Sequence, residues 1–457
     1  MKKCITLFIA ISIFCTITSK AQLWRTVGDS LWISNGAYAV IKNFLVSDGE
    51  LYVVGGFEYA GSQLLNSVAT WDSCGWSSLA NGVMDGGVFC VEKYEASIII
   101  GGEFHGIDGL TDAKYIARWY NNSWYTLDTI YPYGHITVLE MFQDKVYIAG
   151  SFIYIGDNMF GRIAAWDSTG YHNVGNASSN IFALEVYDGS LYAGGSFQTI
   201  GGVSVAGIAR WDGAQWHDVG GGVNGYINCF TVDTVNNLLY AGGWFTQAGG
   251  IPASGIAVWD GQNWSAINPG VNSDVYALCL YKGDLYAGGA FLYAGANQAN
   301  YIARWDGESW HCMSDCISCN GMDGSVSAFE VYKDELYIGG GYSVAGCISA
   351  VGISRWYMPD TVVGVGESQG YWLNNGRLGD IIPNPAGRTT SIPYHIPHGK
   401  KGSISISDIS GKEMQRYTGL SGQDTIEVNV KDWAKGTYVC SLVVEGKAVG
   451  SRKVVVE

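Results

Sequence analysis

Short runs of alternating hydrophobic and polar residues fill most of the chain, and their order returns every 45 to 51 residues. LYAGGSFQTIGGVSVAGIARWDGAQWHDVG begins at Leu191, and LYAGGWFTQAGGIPASGIAVWDGQNWSAINPG begins at Leu239. Each copy has a Trp that closes an apolar run: Trp71, Trp119, Trp166, Trp211, Trp259, Trp305 and Trp356. A fixed period of this length predicts one supersecondary unit that is stacked seven times.

Four strands are predicted within each copy. In the fourth copy they are IFALEVY, LYAGGSF, GIARW and AQWHDVG, separated by turn signals such as YDGS and WDGAQ. Asp-Gly suits a tight hairpin because Gly accepts a positive φ. Four strands per repeat are typical of a propeller blade, so we predict an all-β fold containing a seven-bladed β-propeller. The glycine pair Gly194-Gly195 predicts close approach of a bulky aromatic from a neighbouring blade, and the candidates across the repeats are Trp211, Trp259 and Trp305.

The two ends of the array predict how the ring closes. The seventh copy reads GISRWYMPD from Gly352 and lacks a fourth strand, whereas LWRTVGDS from Leu23 matches the fourth-strand pattern WHDVGGG from Trp216. Residues 23 to 28 are therefore expected to complete the seventh blade, which would remove two unpaired strand edges.

Four segments follow from composition. Residues 1–21 have a basic start, an apolar run and a small-x-small site, which predict a secretory signal peptide and no transmembrane segment after its removal. Residues 22–360 hold the propeller, and the Gly-rich, polar residues 361–380 form a linker. Alternation in SISISD, TIEVNV and YVCSLVV predicts a small C-terminal β-sandwich over residues 381–457.

Two resemblances extend this interpretation. The glycine pair followed about fifteen residues later by Trp resembles kelch-type propeller repeats, although a regularly placed Tyr is missing. The tail resembles the C-terminal sorting domain (type A) of type IX secretion substrates, which implies export, secreted or outer-surface localisation and type IX machinery as a partner. The residues that carry this second resemblance are Pro383, Asn384, Pro385, Gly411, Gly436, Tyr438 and Lys453.

Charge is divided unevenly along the chain. Residues 22–370 contain 12 Lys and Arg against 33 Asp and Glu, while residues 371–457 contain 11 against 8. Nucleic acid and anionic membranes are excluded as partners because their binding depends on cationic side chains. Attraction of Ca²⁺ or of a basic ligand stays open, but no motif specifies a cofactor.

Nine cysteines remain after signal removal. Four of them crowd the loops of the last repeat, and one or two disulfides are expected there in an exported protein: Cys312, Cys316, Cys319 and Cys347. A zinc site is the alternative.

A carboxylate recurs at one first-strand position and a guanidinium at one third-strand position. The two sets are Glu92, Glu140, Glu185 and Glu330, and Arg118, Arg210, Arg304 and Arg355. We expect these groups to pair, because a buried charge is costly without a partner. A ring of unpaired carboxylates is the alternative.

The loops after the second and fourth strands vary most, and variable loops on a rigid scaffold usually carry binding. The acidic candidates for this ligand face are Asp85, Asp108, Asp112, Asp157, Asp274 and Asp323. No catalytic constellation stands out. The sequence therefore favours a binding, adhesion or scaffold module for a surface glycan or protein, with a glycan-directed hydrolase or lyase as the alternative.

Overall fold

The computed structural model describes most of the chain from Trp24 onward. The described residues are 24–34, 36–83, 85–128, 130–313, 320–358, 377–378, 386–396, 399–408, 412–445 and 447–456. The predicted signal peptide and nearly all of the predicted linker lie outside them. All regular structure in the described ranges is β-strand, which confirms the predicted all-β class.

Residues 24–356 form seven antiparallel sheets of four strands each. We number the sheets one to seven and the strands first to fourth, counted from the inner edge. Sheet one contains Val40–Ser47, Glu50–Gly56, Val68–Trp71 and Trp76–Ser78. Sheet two contains Val88–Tyr94, Ser97–Gly102, Ile116–Tyr120 and Ser123–Tyr125. Sheet three contains Ile136–Phe142, Lys145–Gly150, Ile163–Asp167 and Gly170–Asn173. Sheet four contains Ile181–Tyr187, Ser190–Gly195, Ile208–Trp211 and Trp216–Asp218.

The last three sheets follow the same order. Sheet five contains Tyr226–Asp233, Leu238–Trp244, Ile256–Trp259 and Trp264–Ala266. Sheet six contains Val275–Tyr281, Asp284–Gly289, Ile302–Trp305 and Trp310–Cys312. Sheet seven contains Val326–Tyr332, Glu335–Gly340, Ile353–Trp356 and Trp24–Thr26.

In six of the seven sheets, the connection between the second and third strands contains a hairpin of two-residue strands. In sheet one this hairpin is Tyr59–Ala60 with Gln63–Leu64, and Leu31–Trp32, which precedes the first strand, joins it to form a three-stranded sheet. Five further hairpins are Tyr154–Ile155 with Asn158–Met159, Thr199–Ile200 with Val203–Ser204, Gln247–Ala248 with Ile251–Pro252, Tyr293–Ala294 with Asn297–Gln298, and Val344–Ala345 with Ile348–Ser349.

The strand Trp24–Thr26 is the fourth strand of sheet seven, as predicted. Trp24 lies opposite Trp356 in antiparallel register, and the two rings meet edge to face with centroids 4.8 Å apart. The indole N–H of Trp24 donates to the Met313 carbonyl, which follows the fourth strand of sheet six, at 3.4 Å. In sheet five, the indole N–H of Trp264 likewise donates to the Val219 carbonyl, which follows the fourth strand of sheet four, at 2.9 Å. Trp24 therefore fills the position that the fourth-strand Trp fills in other sheets.

The inner strands of consecutive sheets pack against one another, and that of sheet seven packs against that of sheet one. The same hydrogen bonds occur at this last junction and at interior ones. Trp71 donates to the Tyr337 hydroxyl at 3.2 Å, and Trp211 donates to the Tyr147 hydroxyl at 3.0 Å.

The paired glycines do allow close approach of a neighbouring sheet, but the partner differs from the predicted Trp. A Cβ on Gly194 would lie 2.7 Å from Ile227 Cγ2 and 2.8 Å from Phe230 Cζ, both on the next inner strand. A Cβ on Gly195 would lie 2.2 Å from the Asn180 carbonyl oxygen of its own sheet. The first glycine therefore admits the neighbouring sheet, and the second admits a backbone irregularity described below.

The C-terminal residues form two sheets that share one hydrophobic core. One sheet contains Arg377–Leu378, Thr389–Ile396 and Gly422–Asn429, and the other contains Glu413–Leu420, Gly402–Asp408, Gly436–Val444 and Lys447–Val456. Alternation buries one side of each strand, as in Ile404, Ile406, Cys440 and Leu442.

Candidate functional site

Exposed apolar side chains concentrate at one end of the sheets. We call this end the hairpin face; there the second strands end, the first strands begin and the small hairpins lie. Among the described residues of the range 24–356, all but four of the exposed large hydrophobic residues belong to it, the exceptions being Val46, Tyr120, Tyr125 and Val235. Its members are Trp32, Tyr38, Leu64, Leu110, Ile130, Tyr133, Ile153, Tyr154, Met159, Trp244, Ile251, Tyr276, Leu292, Tyr293 and Val344.

Two of the six predicted aspartates on this face hold the loops together. Asp323 Oδ1 accepts the backbone N–H groups of Ser343 at 2.7 Å and Val344 at 2.8 Å, and Asp85 Oδ1 accepts that of His105 at 3.0 Å. Burial raises the pKa of Asp323, but hydrogen bonds from the Ser343 hydroxyl and from the Val344 and Ser343 N–H groups together lower it below its usual value. The contacts are the kind that position a loop.

The other four aspartates differ in their surroundings. Asp108 Oδ1 accepts the Asn81 side-chain amide at 2.6 Å, whereas Asp112 and Asp157 are exposed. Asp274 lies beside aromatic rings and is half-buried. Its neighbours are Tyr226 of sheet five and Tyr276 of sheet six, as described below.

Every inner strand has a β-bulge at the same position near the hairpin face. The bulged residue has no register partner on the second strand, and a bulge re-aims its side chain. The seven bulged residues are Lys42, Phe89, Thr137, Phe182, Asn228, Tyr276 and Ser327. Sequence reasoning missed this ring because a single extra residue leaves the alternation readable on both sides.

The polar bulged residues link neighbouring sheets. Thr137 Oγ1 donates to the Ile181 carbonyl at 2.7 Å, and Ser327 Oγ donates to the Ile41 carbonyl at 2.6 Å. Asn228 Nδ2 donates to the Val275 carbonyl at 3.0 Å in the same way.

One part of the bulge ring carries a cluster that the other sheets lack. We call Tyr226, Asn228, Trp244, Asp274 and Tyr276 the five–six sector, because they belong to sheets five and six and the loop between them. The Tyr226 hydroxyl donates to Asp274 Oδ1 at 2.9 Å. Trp244 is 50% exposed and Tyr276 is 38% exposed. Burial, and then the Asp274 carboxylate, raise the pKa of Tyr276.

Four glutamates project from equivalent points further along the inner strands. Each stands opposite a second-strand residue, and each is partly exposed: Glu92, Glu140, Glu185 and Glu330. Burial raises the pKa of Glu92 and of Glu330 to about 7. Burial raises the pKa of Glu140 well above its usual range, and Glu185 and Glu92 raise it further.

The expected pairing of these glutamates with the third-strand arginines is wrong. Arg210 donates to Ser190 Oγ at 3.4 Å, and Arg355 pairs with Glu335 at 2.7 Å. The reason is the register, because Tyr192 lies between Arg210 and Glu185 in one row across the sheet. The first and third strands are two strand spacings apart, about 10 Å in total, which is too far for these two side chains to pair. No described residue forms an ion pair with any of the four glutamates.

The predicted cysteine cluster is described only in part. Cys347 is disulfide-bonded, whereas Cys312 is a free and exposed thiol. The expectation of a disulfide at Cys312 is therefore wrong. Cys312 ends the fourth strand of sheet six, opposite Ala303, and is exposed to solvent. Cys316 and Cys319 lie outside the described residues. Within the described ranges, no three His, Cys, Asp or Glu side chains are grouped to hold a metal ion.

The tail residues that carry the sorting resemblance are described in part. Gly436 and Tyr438 begin an inner strand of the four-stranded tail sheet, and the Tyr438 hydroxyl donates to the Ala434 carbonyl at 2.7 Å. Lys453 lies opposite Val439 on the last strand. Pro383, Asn384, Pro385 and Gly411 lie outside the described residues. The described part of the chain contains no helix that could cross a membrane.

Comparison with solved structures gives a weak likeness over most of the chain. A glycoside hydrolase family 43 arabinoxylan arabinofuranohydrolase from Bacillus subtilis, solved with cellotetraose, is 13% identical, with a TM-score of 0.28, over 92% of this chain and 94% of that one. A likeness this weak establishes neither a shared fold nor a shared activity. No protein of curated function matches significantly.

Comparison with protein families identifies the tail. Residues 380–457 match the family described as the secretion system C-terminal sorting domain. This match confirms the type IX sorting domain that the sequence predicted. The protein is therefore exported and is secreted or located at the cell surface.

Proposed function

We propose that this protein is a secreted or cell-surface recognition module built on a closed, seven-bladed β-propeller of residues 22–360. A signal peptide over residues 1–21 and a linker over residues 361–380 complete the arrangement. Closure is supported by the junction between sheets seven and one, where Tyr332 donates to the Gly49 carbonyl at 2.7 Å, as Tyr187 donates to Asn237 at 2.9 Å inside the array.

The ligand is an extracellular glycan or protein that docks on the hairpin face. The observation that carries this proposal is the concentration of exposed aromatic and aliphatic side chains at that end of the sheets. Large exposed apolar patches on exported domains mark interaction sites, and binding usually resides in loops that a rigid scaffold presents.

Glycan-array binding by the full mature chain tests this proposal. We expect saturable binding without turnover, and a loss of about tenfold or more in affinity for Tyr154→Ala or Tyr293→Ala, since truncated aromatic anchors cost the most at interfaces. Tyr120→Ala and Tyr125→Ala are matched controls, because both residues are equally exposed but lie away from the hairpin face. Equal losses in control and test variants would contradict the proposal.

A glycan-directed hydrolase is the second candidate. The neighbouring carboxylates Glu92, Glu140 and Glu185 favour it, because a carboxyl with a pKa of about 7 can act as a general acid near neutral pH. A hydrolysis screen on the same preparation separates the two: product formation that Glu140→Gln abolishes would favour the enzyme over the recognition module.

A further inference from the structure

We propose that the five–six sector is a binding site for an organic ammonium group. This inference rests on the proposed recognition function and names the chemistry of one ligand of the hairpin face. The sector combines a fixed carboxylate with exposed aromatic rings, and each of these features attracts a cation.

The Asp274 carboxylate is held in place by its neighbours. Oδ1 accepts the Tyr226 hydroxyl at 2.9 Å and the Asn228 amide at 3.5 Å, while the same amide also binds the Val275 carbonyl at 3.0 Å. Oδ2 accepts no hydrogen bond from any described residue. A carboxylate oriented through one oxygen has its other oxygen free for a charged donor, which is the stronger kind of hydrogen-bond partner.

Two exposed rings, those of Trp244 and Tyr276, belong to the strands next to this carboxylate. Trp244 lies opposite Tyr226 in the antiparallel register, so both side chains leave the sheet on the same side. The Tyr226 hydroxyl reaches Asp274, so this is the side that faces sheet six. Tyr276 stands on the bulge two residues after Asp274 and is 38% exposed. Aromatic faces near a carboxylate are the arrangement that proteins use for ammonium ligands.

The repeat does not require these residues. At the corresponding positions sheet seven has Ser325, Ser327 and Gly341, and sheet one has Val40, Lys42 and Gly56. Packing therefore does not require an acidic residue or a Trp there. Because Phe89 and Phe182 hold the bulge position in sheets two and four, the residues particular to the five–six sector are Asp274 and Trp244, which points to a ligand rather than to stability.

Charge favours a cation over a neutral or anionic ligand. Residues 22–370 contain 33 Asp and Glu against 12 Lys and Arg, and no Lys or Arg belongs to the sector. This excess of carboxylates raises the local concentration of cations around residues 22–370.

Ligand-observed NMR and calorimetry on the full mature chain test the inference with four probes: tetramethylammonium chloride, butylammonium chloride, the neutral isostere neopentyl alcohol, and sodium chloride at matched ionic strength. We expect saturable binding of at least one ammonium and binding of neopentyl alcohol weaker by about tenfold. Tighter binding of tetramethylammonium would identify a quaternary headgroup as the source of the ligand, and tighter binding of butylammonium would identify a lysine side chain.

The variants D274N and W244A should each weaken ammonium binding by about tenfold without lowering the melting temperature. D157N and Y120A are the controls, since Asp157 and Tyr120 are exposed elsewhere. Equal binding of the neutral isostere, or binding unchanged in both D274N and W244A, would overturn the inference. Hairpin-face glycan binding that persists in these variants would leave the proposed function standing, so the two failures are distinguishable.

Discussion

At the scale of single residues, Glu330 is a carboxyl group that forms no ion pair with any described residue. It lies on the inner strand of sheet seven, opposite Tyr337, and accepts the backbone N–H of Val331 at 3.0 Å. Burial outweighs that hydrogen bond and raises the pKa of Glu330 to about 7. The folded protein therefore holds a proton that the unfolded chain releases at lower pH.

The sign of the resulting pH dependence follows directly. Between the ordinary pKa of 4.5 and about 7, the folded state binds more protons at Glu330 than the unfolded state does. Stability from this group is thus full below pH 4.5 and is lost as the pH rises to about 7. We expect Glu330→Gln to stabilise the protein at pH 8 by about 1–3 kcal/mol, with little effect at pH 4.

Thermal or urea unfolding across this pH range measures the effect. Glu95→Gln is the control, because Glu95 is exposed in a turn. A Glu330→Gln variant that is equally stabilised at pH 4 and pH 8 would contradict the assigned cause.

Sequence reasoning at this scale identified residue types better than partners. The Asp of each Asp-Gly turn was predicted as a turn former, and Asp212 Oδ1 accepts the N–H groups of Ala214 at 2.8 Å and Gln215 at 2.9 Å. The predicted partner of Arg210, the first-strand glutamate, was wrong. Alternation shows which face of the sheet a residue takes, but it does not show which residue lies opposite it on the adjacent strand, here Tyr192.

At the scale of elements, the three-residue strand Trp24–Thr26 joins the two ends of the sheet array. Trp24 is 1% exposed, and Arg25 pairs with Glu335, which also binds Arg355. The strand thus adds a buried ring and a shared carboxylate between two guanidinium groups. We therefore expect this strand to contribute more to the free energy of unfolding than its three residues would suggest.

We expect Trp24→Ala to lower the free energy of unfolding by about 3–5 kcal/mol, because it empties a packed site and removes the contact with Trp356. Trp32→Ala is the matched control: Trp32 is 40% exposed, and its loss should cost less than about 1 kcal/mol. Chemical denaturation of the purified variants measures both. Similar costs for the two substitutions would show that the strand does not close the array.

The large elements were predictable and the small ones were not. Repetition supplied seven independent copies of each four-strand pattern, including the copy whose last strand precedes the first repeat. The two-residue hairpins, such as Thr199–Ile200 with Val203–Ser204, are too short for alternation to be recognised. These hairpins build the hairpin face, so the part of the fold on which the proposed binding depends was the part least visible in the sequence.

At the scale of the whole molecule, the tail has a core of its own. Its buried cluster consists of residues from Leu378 to Val456. Because residues 380–457 are the sorting domain, their removal should abolish export in a host with type IX secretion. Because their core is separate, the unfolding transition of the seven sheets should stay unchanged. Fractionation and calorimetry of the truncated protein check the two parts; normal surface delivery without the tail would contradict the assignment.

The position of the chain ends has a consequence for orientation. Trp24 and Trp356 lie side by side at the end of the sheets where the Asp-Gly turns are, opposite the hairpin face. The described chain thus leaves the seven sheets at Met358, just after Trp356 and away from the hairpin face. If the tail tethers the molecule to a cell on that side, the aromatic loops are presented outward, toward whatever approaches from the surroundings.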